Sequence, residues 1–289
     1  MDLSLLLPEW QGCGHDAAVS SGARALAAHL GADAFVEIDA PEHETLAVED
    51  GVIGLASIAA RAARTGEAIA AARPDRIFTI GGTCGVELAP VSYLNAHYRG
   101  DLAVVWLDAH ADLNTPETSP SARFHGMVLR TLLGAGPRAL VDGISRRLAP
   151  QQIVLAGARD LDRDEATFVS DAAISMLSPA DLLVPDRATG RVRAGGYTRL
   201  YLHLDLDVLD PIEFPDSLVQ TPGGVSVDQL AGTIQDLART FDVVGFSVVE
   251  LRPRSADAVG RVVHLLDRTG LNLGVLGRRR GLSDLAIVE

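Results

Sequence analysis

Short apolar runs recur along the chain, rich in β-branched and aromatic residues and bounded by turn formers. They cover 3–7, 34–38, 76–80, 102–107, 152–156, 173–176, 200–206 and 243–250, and their lengths are those of buried strands. Between them lie Ala- and Leu-rich stretches whose apolar positions return with helical period, at 17–30, 51–72, 86–97, 225–240 and 256–269. Strand–helix alternation on this scale predicts an α/β fold with a mostly parallel sheet and helices on both faces. The remaining irregular stretches, 111–124, 157–165 and 208–224, each follow a strand directly. In an open parallel sheet ligands bind at the carboxyl ends of the strands, so these loops are where a site is expected.

No Pro/Gly/Ser linker or internal repeat interrupts the pattern, which predicts one domain over residues 1–289. Hydrophobic residues make up 47% of the 289 positions, enough for a well-buried core. The formal charge of −13 argues against nucleic acid and anionic membrane surfaces as partners. Two cysteines, Cys13 and Cys84, are too few for a disulfide framework and suit a reducing cytoplasm. The opening MDLSLLLPEW lacks a basic flank and is interrupted by Pro8, unlike a signal peptide, and no apolar stretch approaches the ~20 residues needed to span a bilayer. A cytoplasmic protein is expected.

The residues just beyond the strand ends carry the candidate chemistry. The run LAVVWL ends in Asp108-x-His110-x-Asp112, and RLYLHL runs into Asp205-x-Asp207, two acids that period-two alternation points to the same side. RIFTI is followed by GGTCGVE, which presents Cys84 on a glycine turn, and DVVGFSVVE ends on Glu250. Each feature has a structural reading, an Asp capping a turn or a small buried Cys. Together, four aspartates and a histidine form a hard, oxygen-rich set for two divalent ions, and oxygen plus imidazole favours Mn²⁺ over Zn²⁺. Two such ions a few ångströms apart activate water near neutral pH.

DAHAD, LDLDVLDP and VVELRP, with the glycine turn before them, resemble the motifs of the ureohydrolases, the arginases, agmatinases and relatives, in the same order from about residue 76 to 263. The resemblance implies a three-layer αβα fold, a binuclear manganese centre and hydrolysis of a guanidinium or related carbon–nitrogen bond. It implies that Asp108 and Asp205 bridge the ions, that Asp112 holds one, and that His110 and Asp207 hold the other. Where the family has one further ligand, a histidine after the glycine turn, this chain has Cys84. A thiolate is soft and Mn²⁺ is hard, so Cys84 is a doubtful ligand and one of the two sites is expected to be weak or empty, or to take another metal.

The stretch NTPETSPSARFHG resembles the arginase loop that grips an α-carboxylate. The resemblance implies substrate contacts from Asn114, Ser119 and Ser121, an α-ammonium contact from Asp162 in ARDLD, proton shuttling by His125 and a guanidinium partner in Glu250. Ordinary loop polarity also puts serines at 119 and 121, and His125 could simply close a loop before Gly126. His203 reads as packing, and His15, His29, His43, His97 and His264 carry no site signal. A cysteine at this position with an NTPET loop is further similar to the Nω-hydroxy-L-arginine hydrolases, which release hydroxyurea and ornithine.

The resulting expectation is a manganese-dependent amidinohydrolase with catalytic Asp112, His125 and Glu250, acting on a small guanidino amino acid, Nω-hydroxy-L-arginine before L-arginine. Agmatinase- or formiminoglutamase-like hydrolases come next, then a non-catalytic member that binds a ligand. The resemblance also implies a homo-oligomer, trimeric or hexameric. The basic run Arg278–Arg280 reads as a solvated turn or a subunit contact.

Overall fold

The computed structural model describes residues 1–272 and 274–276; the Arg278–Arg280 run lies outside them. Among the described residues eight parallel strands form one sheet: β1 (Asp2–Leu7), β2 (Val36–Glu37), β3 (Arg76–Gly81), β4 (Ala103–Leu107), β5 (Ile153–Ala156), β6 (Ser175–Leu177), β7 (Arg199–Asp205) and β8 (Asp242–Val249). Their spatial order is β2-β1-β3-β8-β7-β4-β5-β6. The longer helices are α1 (Ala18–Gly31), α2 (Leu55–Ala72), α3 (Leu88–His97), α4 (Arg163–Asp171), α5 (Arg187–Ala194), α6 (Val227–Thr240) and α7 (Ala258–Arg268).

Alternation along the strands builds two cores. Val105 and Leu107 of β4 and Leu200, Leu202 and Leu204 of β7 pack beneath α1, α5, α6 and α7. Val104, Trp106 and Tyr201 face the other way, toward α2, α3 and α4. Because both faces are covered, the strands read as near-continuous apolar runs, and the result is the three-layer αβα arrangement expected from the alternation. Among the described residues no helix is long and apolar enough to cross a membrane.

Every expected strand is present, but several helices differ. The stretch from 51 opens as a hairpin, Val48–Glu49 with Val52–Ile53, and α2 starts only at Leu55. The short helices Val128–Leu132, Arg138–Val141 and Pro179–Leu182, together with α4 and α5, were not expected. RATGRVRA of α5 buries only Ala188, Thr189 and Val192, too sparse an apolar stripe to stand out in sequence.

Two glycines set close approaches around the future site. A Cβ on Gly82 would lie 2.0 Å from the Glu9 carbonyl oxygen, so the turn that delivers Cys84 can pass only as glycine. A Cβ on Gly245 would lie 2.1 Å from the Tyr201 ring, which packs flat across β8. The long connection after β7 is anchored by the fully buried Asp216, whose carboxylate accepts from the backbone of Arg254 and Ser255, the Ser255 hydroxyl and the Arg261 guanidinium.

Candidate metal centre and substrate cleft

The carboxyl ends of β3, β4, β7 and β8, with the connection after β5, meet in a cleft of about 180 Å³. Cys84, His110, Asp112, Asp205, Asp207 and Glu250 form its floor and inner wall; Asn114, Ser119, Ser121, His125, Asp160 and Asp162 line the rest. All the residues singled out in the sequence therefore meet at one sheet edge, with Asp108 just beneath the floor and fully buried.

The metal-type donors fall into three overlapping groups whose ligand atoms lie within 4.8 Å of one another: Asp108, His110 and Asp207; Cys84, Asp205 and Glu250; and Cys84, Asp108, Asp112 and His203. Asp108 accepts from the His110 amide at 2.6 Å and from the Trp106 indole at 3.2 Å. The His110 ring places Nδ1 3.0 Å from Asp207 Oδ2 and 3.3 Å from Asp108 Oδ1. Asp205 is the last residue of β7, whereas Asp207 lies in the 3-10 turn Leu206–Val208, so strand alternation alone does not orient it. Asp207 is aimed instead by two backbone bonds: its own amide donates to Asp205 Oδ1 at 2.8 Å, and Asp207 Oδ1 accepts from the Ala109 amide at 3.0 Å. The Cys84 thiol donates to Asp205 Oδ2 at 3.1 Å.

Backbone conformation is unusual at two of these positions. Asp112 (φ 52°) and Glu250 (φ 64°) both occupy the left-handed region, which costs a non-glycine residue on the order of 1 kcal/mol. Turning the chain at these points directs both carboxylates into the cleft, where Asp112 Oδ2 and Glu250 Oε2 have no hydrogen-bond partner among the described residues. Glu250 Oε1 accepts from the Cys84 amide at 3.1 Å and lies 3.2 Å from His125 Nδ1.

Electrostatics sharpen the same point. Burial, then the charges of Asp108 and nearby acids, pushes Asp112 well above the carboxylate range. Burial and the neighbouring Asp207, Asp108 and Glu250 do the same to Asp205. Asp207 is pushed up to about 6 by burial and by Asp108, partly offset by His110. Burial also opposes ionisation of Asp108, but hydrogen bonds from His110 and His203 outweigh it and hold that carboxyl low. Burial opposes charge on His110 too, and the bonds to Asp108 and Asp207 overcome it and raise its pKa. Cys84 is pushed far up by burial and four surrounding carboxylates. Packed acids that resist ionisation, with orphaned oxygens facing one cavity, gain from a divalent cation what protein neighbours do not supply. The donors fit such a cation, and the set around Asp108, His110 and Asp207 is oxygen-rich.

The outer cleft is tied together before any ligand enters. Asn114 Nδ2 donates to Asp162 Oδ2 at 2.9 Å, and the Thr118 hydroxyl donates to Asn114 Oδ1 at 2.9 Å. Ser119 and Ser121 lie with hydroxyls 3.4 Å apart and accept from the amides of Ala122 and Arg123.

Three site neighbours escaped the sequence reading. Buried Glu165 accepts from the amides of Leu113 and Asp162, linking the loops after β4 and β5. Its signal was legible as the capping pair Asp162-x-x-Glu165, but that pattern announces a helix start and nothing more. His203, expected to be packing, is fully buried and sits against the centre. Its ring stacks on Trp106 with centroids 3.6 Å apart, Nδ1 is 3.2 Å from Glu87 Oε1, and Nε2 is 3.8 Å from Asp108 Oδ2. Burial disfavours its charged form, yet Asp108 and Glu87 outweigh that and raise its pKa. Glu87, also fully buried, accepts through its other oxygen from the Tyr201 hydroxyl.

Comparison with known proteins agrees with this geometry. The family model described as "Arginase family" matches residues 19–266. Arginase from Staphylococcus aureus (strain MRSA252) is 34% identical over 180 residues, a stretch that takes in 60% of this chain and 59% of that protein, so less than two thirds of the relative's length is matched. The crystal structure of arginase from Bacillus caldovelox superposes with a TM-score of 0.82 at 25% identity, covering 94% of this chain and 99% of the other. That of Entamoeba histolytica arginase, solved in complex with L-ornithine, gives 0.84 at 21% identity over 94% and 100%, a likeness of fold. With the family match spanning most of the sequence and the acidic motifs gathered at one sheet edge, the chain belongs to the arginase family.

Proposed function

We propose that the protein is a manganese-dependent amidinohydrolase that cleaves the guanidino carbon–nitrogen bond of an arginine-like amino acid, with Nω-hydroxy-L-arginine preferred over L-arginine. The observation that carries this reading is the convergence of Asp108, His110, Asp112, Asp205 and Asp207 beneath a cleft with amino-acid-type contacts at its rim and the free Glu250 Oε2 at its floor. Asp108 and Asp205 would contribute to both ion sites, Asp112 to one, and His110 and Asp207 to the other. Divalent manganese, when bound, supplies Lewis acidity that lets a water ionise near neutral pH.

The chain's own groups do the rest. Glu250 pairs with the guanidinium through charge-assisted hydrogen bonds and sets its plane. Asn114, Ser119 and Ser121 donate to the α-carboxylate, and Asp162 accepts from the α-ammonium. Holding both ends of the substrate fixes the reacting carbon against the water. As water oxygen bonds to that carbon, Asp112 Oδ2 takes its proton and returns it to the departing amine when the carbon–nitrogen bond breaks, leaving ornithine and hydroxyurea, or urea from L-arginine. His125, 3.2 Å from Glu250 and lining the cleft, exchanges protons with solvent.

Support for an α-amino acid comes from the Asn114–Asp162 pair, which an amine without a carboxylate would leave half used, and from the L-ornithine held by the Entamoeba relative. Support for the hydroxylated substrate comes from Cys84. A soft donor weakens Mn²⁺ on that side, and an electron-withdrawing oxygen on the guanidine compensates by easing attack at carbon. L-Arginine is the second reading, favoured by the relatives named arginase. The test compares kcat/KM for the two substrates with Mn²⁺ supplied and identifies urea or hydroxyurea. A clear preference for L-arginine overturns the hydroxylated choice, and no turnover of either overturns the hydrolase reading. The proposal extends to one domain over 1–289, a cytoplasmic setting and a trimeric or hexameric assembly.

A further inference from the structure

We propose that His203 is a ligand on the Cys84 side of this centre, supplying from β7 the imidazole that the glycine turn lacks, and that the subsite built by Cys84, Asp108, Asp112 and His203 takes a borderline ion of the zinc class in preference to Mn²⁺. The inference deepens the metal-centre reading above and rests on it.

Four observations meet here. The donor atoms of these four residues lie within 4.8 Å of one another and all four residues are buried. In a tetrahedral site with bonds near 2.0–2.3 Å, neighbouring donors stand roughly 3.3–3.8 Å apart, and His203 Nε2 is 3.8 Å from Asp108 Oδ2. That separation is too long for a hydrogen bond, and Nε2, at 0% exposure, has no hydrogen-bond partner among the described residues. On the far side of the ring, Nδ1 meets Glu87 Oε1 at 3.2 Å and the Ser247 hydroxyl at 3.3 Å. The Ser247 hydroxyl accepting from Nδ1–H, with the Glu87 carboxylate close by to favour the proton there, leaves the lone pair on Nε2, aimed at the cluster; partners on the outer nitrogen orient metal-binding imidazoles in this way. Stacking on Trp106 at 17° between planes holds the ring in place.

Sulfur, one imidazole nitrogen and two carboxylates make a mixed set that suits four-coordinate Zn²⁺ or Co²⁺ better than Mn²⁺, whose preferred shell is oxygen-rich. The set around Asp108, His110 and Asp207 keeps that oxygen-rich character. The protein is thus built for two different ions. Binding releases the Cys84 thiol proton to solvent and requires neutral His203.

The experiment titrates the metal-stripped full-length protein with Co²⁺. The expected result is a thiolate-to-cobalt charge-transfer band in the near ultraviolet with strong visible absorption of four-coordinate cobalt, displaced by Zn²⁺ and not by equal Mn²⁺. Cys84→Ser removes the band, and His203→Gln weakens Co²⁺ binding roughly 10- to 100-fold. Because His203 is buried and its variant could misfold, X-ray absorption on zinc-loaded His110→Asn protein gives a second reading. Sulfur together with an imidazole in the zinc shell supports His203. A shell without either donor overturns the proposal, as does a folded His203→Gln protein whose cobalt spectrum and affinity are unchanged; His203 is then an imidazolium pairing Asp108. Hydrolysis of Nω-hydroxy-L-arginine by a two-manganese protein with no thiolate band refutes this inference and leaves the proposed function standing. The band without turnover does the reverse.

Discussion

Asn114 and Asp162, drawn from the loops after β4 and β5, meet through a 2.9 Å hydrogen bond from the Asn114 amide to the Asp162 carboxylate. One serves the substrate's carboxylate and the other its ammonium in the proposed complex, so each holds the other ready. Replacing Asn114 with Ala removes a donor to a charged group and loosens Asp162. For the amino-acid substrate, KM rises roughly ten- to hundredfold. Agmatine, which lacks the carboxylate, serves as the control: equal losses on both would place Asn114 outside substrate recognition.

Cys84→His restores a nitrogen donor on the glycine turn. Mn²⁺ is then held roughly 10- to 100-fold more tightly on that side, and kcat/KM for L-arginine rises relative to Nω-hydroxy-L-arginine. Metal analysis of the dialysed variant checks the first effect and product assay the second. Two tightly held Mn²⁺ in the unaltered protein would contradict this account of the cysteine.

The metal-stripped protein loses stability as pH rises from about 4 to 6.5. Asp112, Asp205 and Asp207 are acids whose folded-state pKa values lie above their unfolded ones, so over this window the folded chain holds more protons than the unfolded one. The depressed Asp108 acts in the opposite sense but below that window. Melting temperatures of stripped protein should fall across these pH values, and Mn²⁺ loading should flatten the profile. A profile identical with and without metal would count against a cation at this cluster.

Asp112→Asn removes a buried carboxyl whose ionisation the folded chain resists and whose Oδ2 is unpartnered among the described residues, and asparagine tolerates φ 52°. Turnover falls by about 10²-fold or more as the proton acceptor is lost, while the stripped variant melts above the stripped parent at neutral pH. Loss of activity with lowered melting would mark Asp112 as structural.

Asp216→Ala leaves the Arg261 guanidinium and two backbone amides without their buried acceptor. The expected cost is about 3 kcal/mol or more, read by denaturant titration, and the connection from 209 to 224 that brings Val219 to the cleft is released with it.

How much of the fold and site was legible in sequence depends on the range of each signal. The strands declared themselves because β-branched runs such as AVVWL are buried on both faces, and DAHAD and LDLD come directly at their ends. α4 and α5 stayed hidden because their exposed faces outnumber their apolar positions. His203 looked like packing because its setting depends on strand order: β7 lies beside β4, which pairs Trp106 with His203, and Glu87 arrives from the turn after β3. No local pattern encodes that neighbourhood. Asp207 was aimed correctly for a partly different reason, since a 3-10 turn and two amides orient it.

The reach of the Cys84 amide to Glu250, across 166 positions of chain, has a kinetic meaning. β3 and β8 are adjacent, yet more than half of the polypeptide lies between them in sequence. Pairings of such long range form late, after local helices have returned. Refolding chains should therefore recover circular dichroism well before they can capture ions, and manganese present from the start has no pocket to template. Saturation with the ion then slows unfolding without hastening folding.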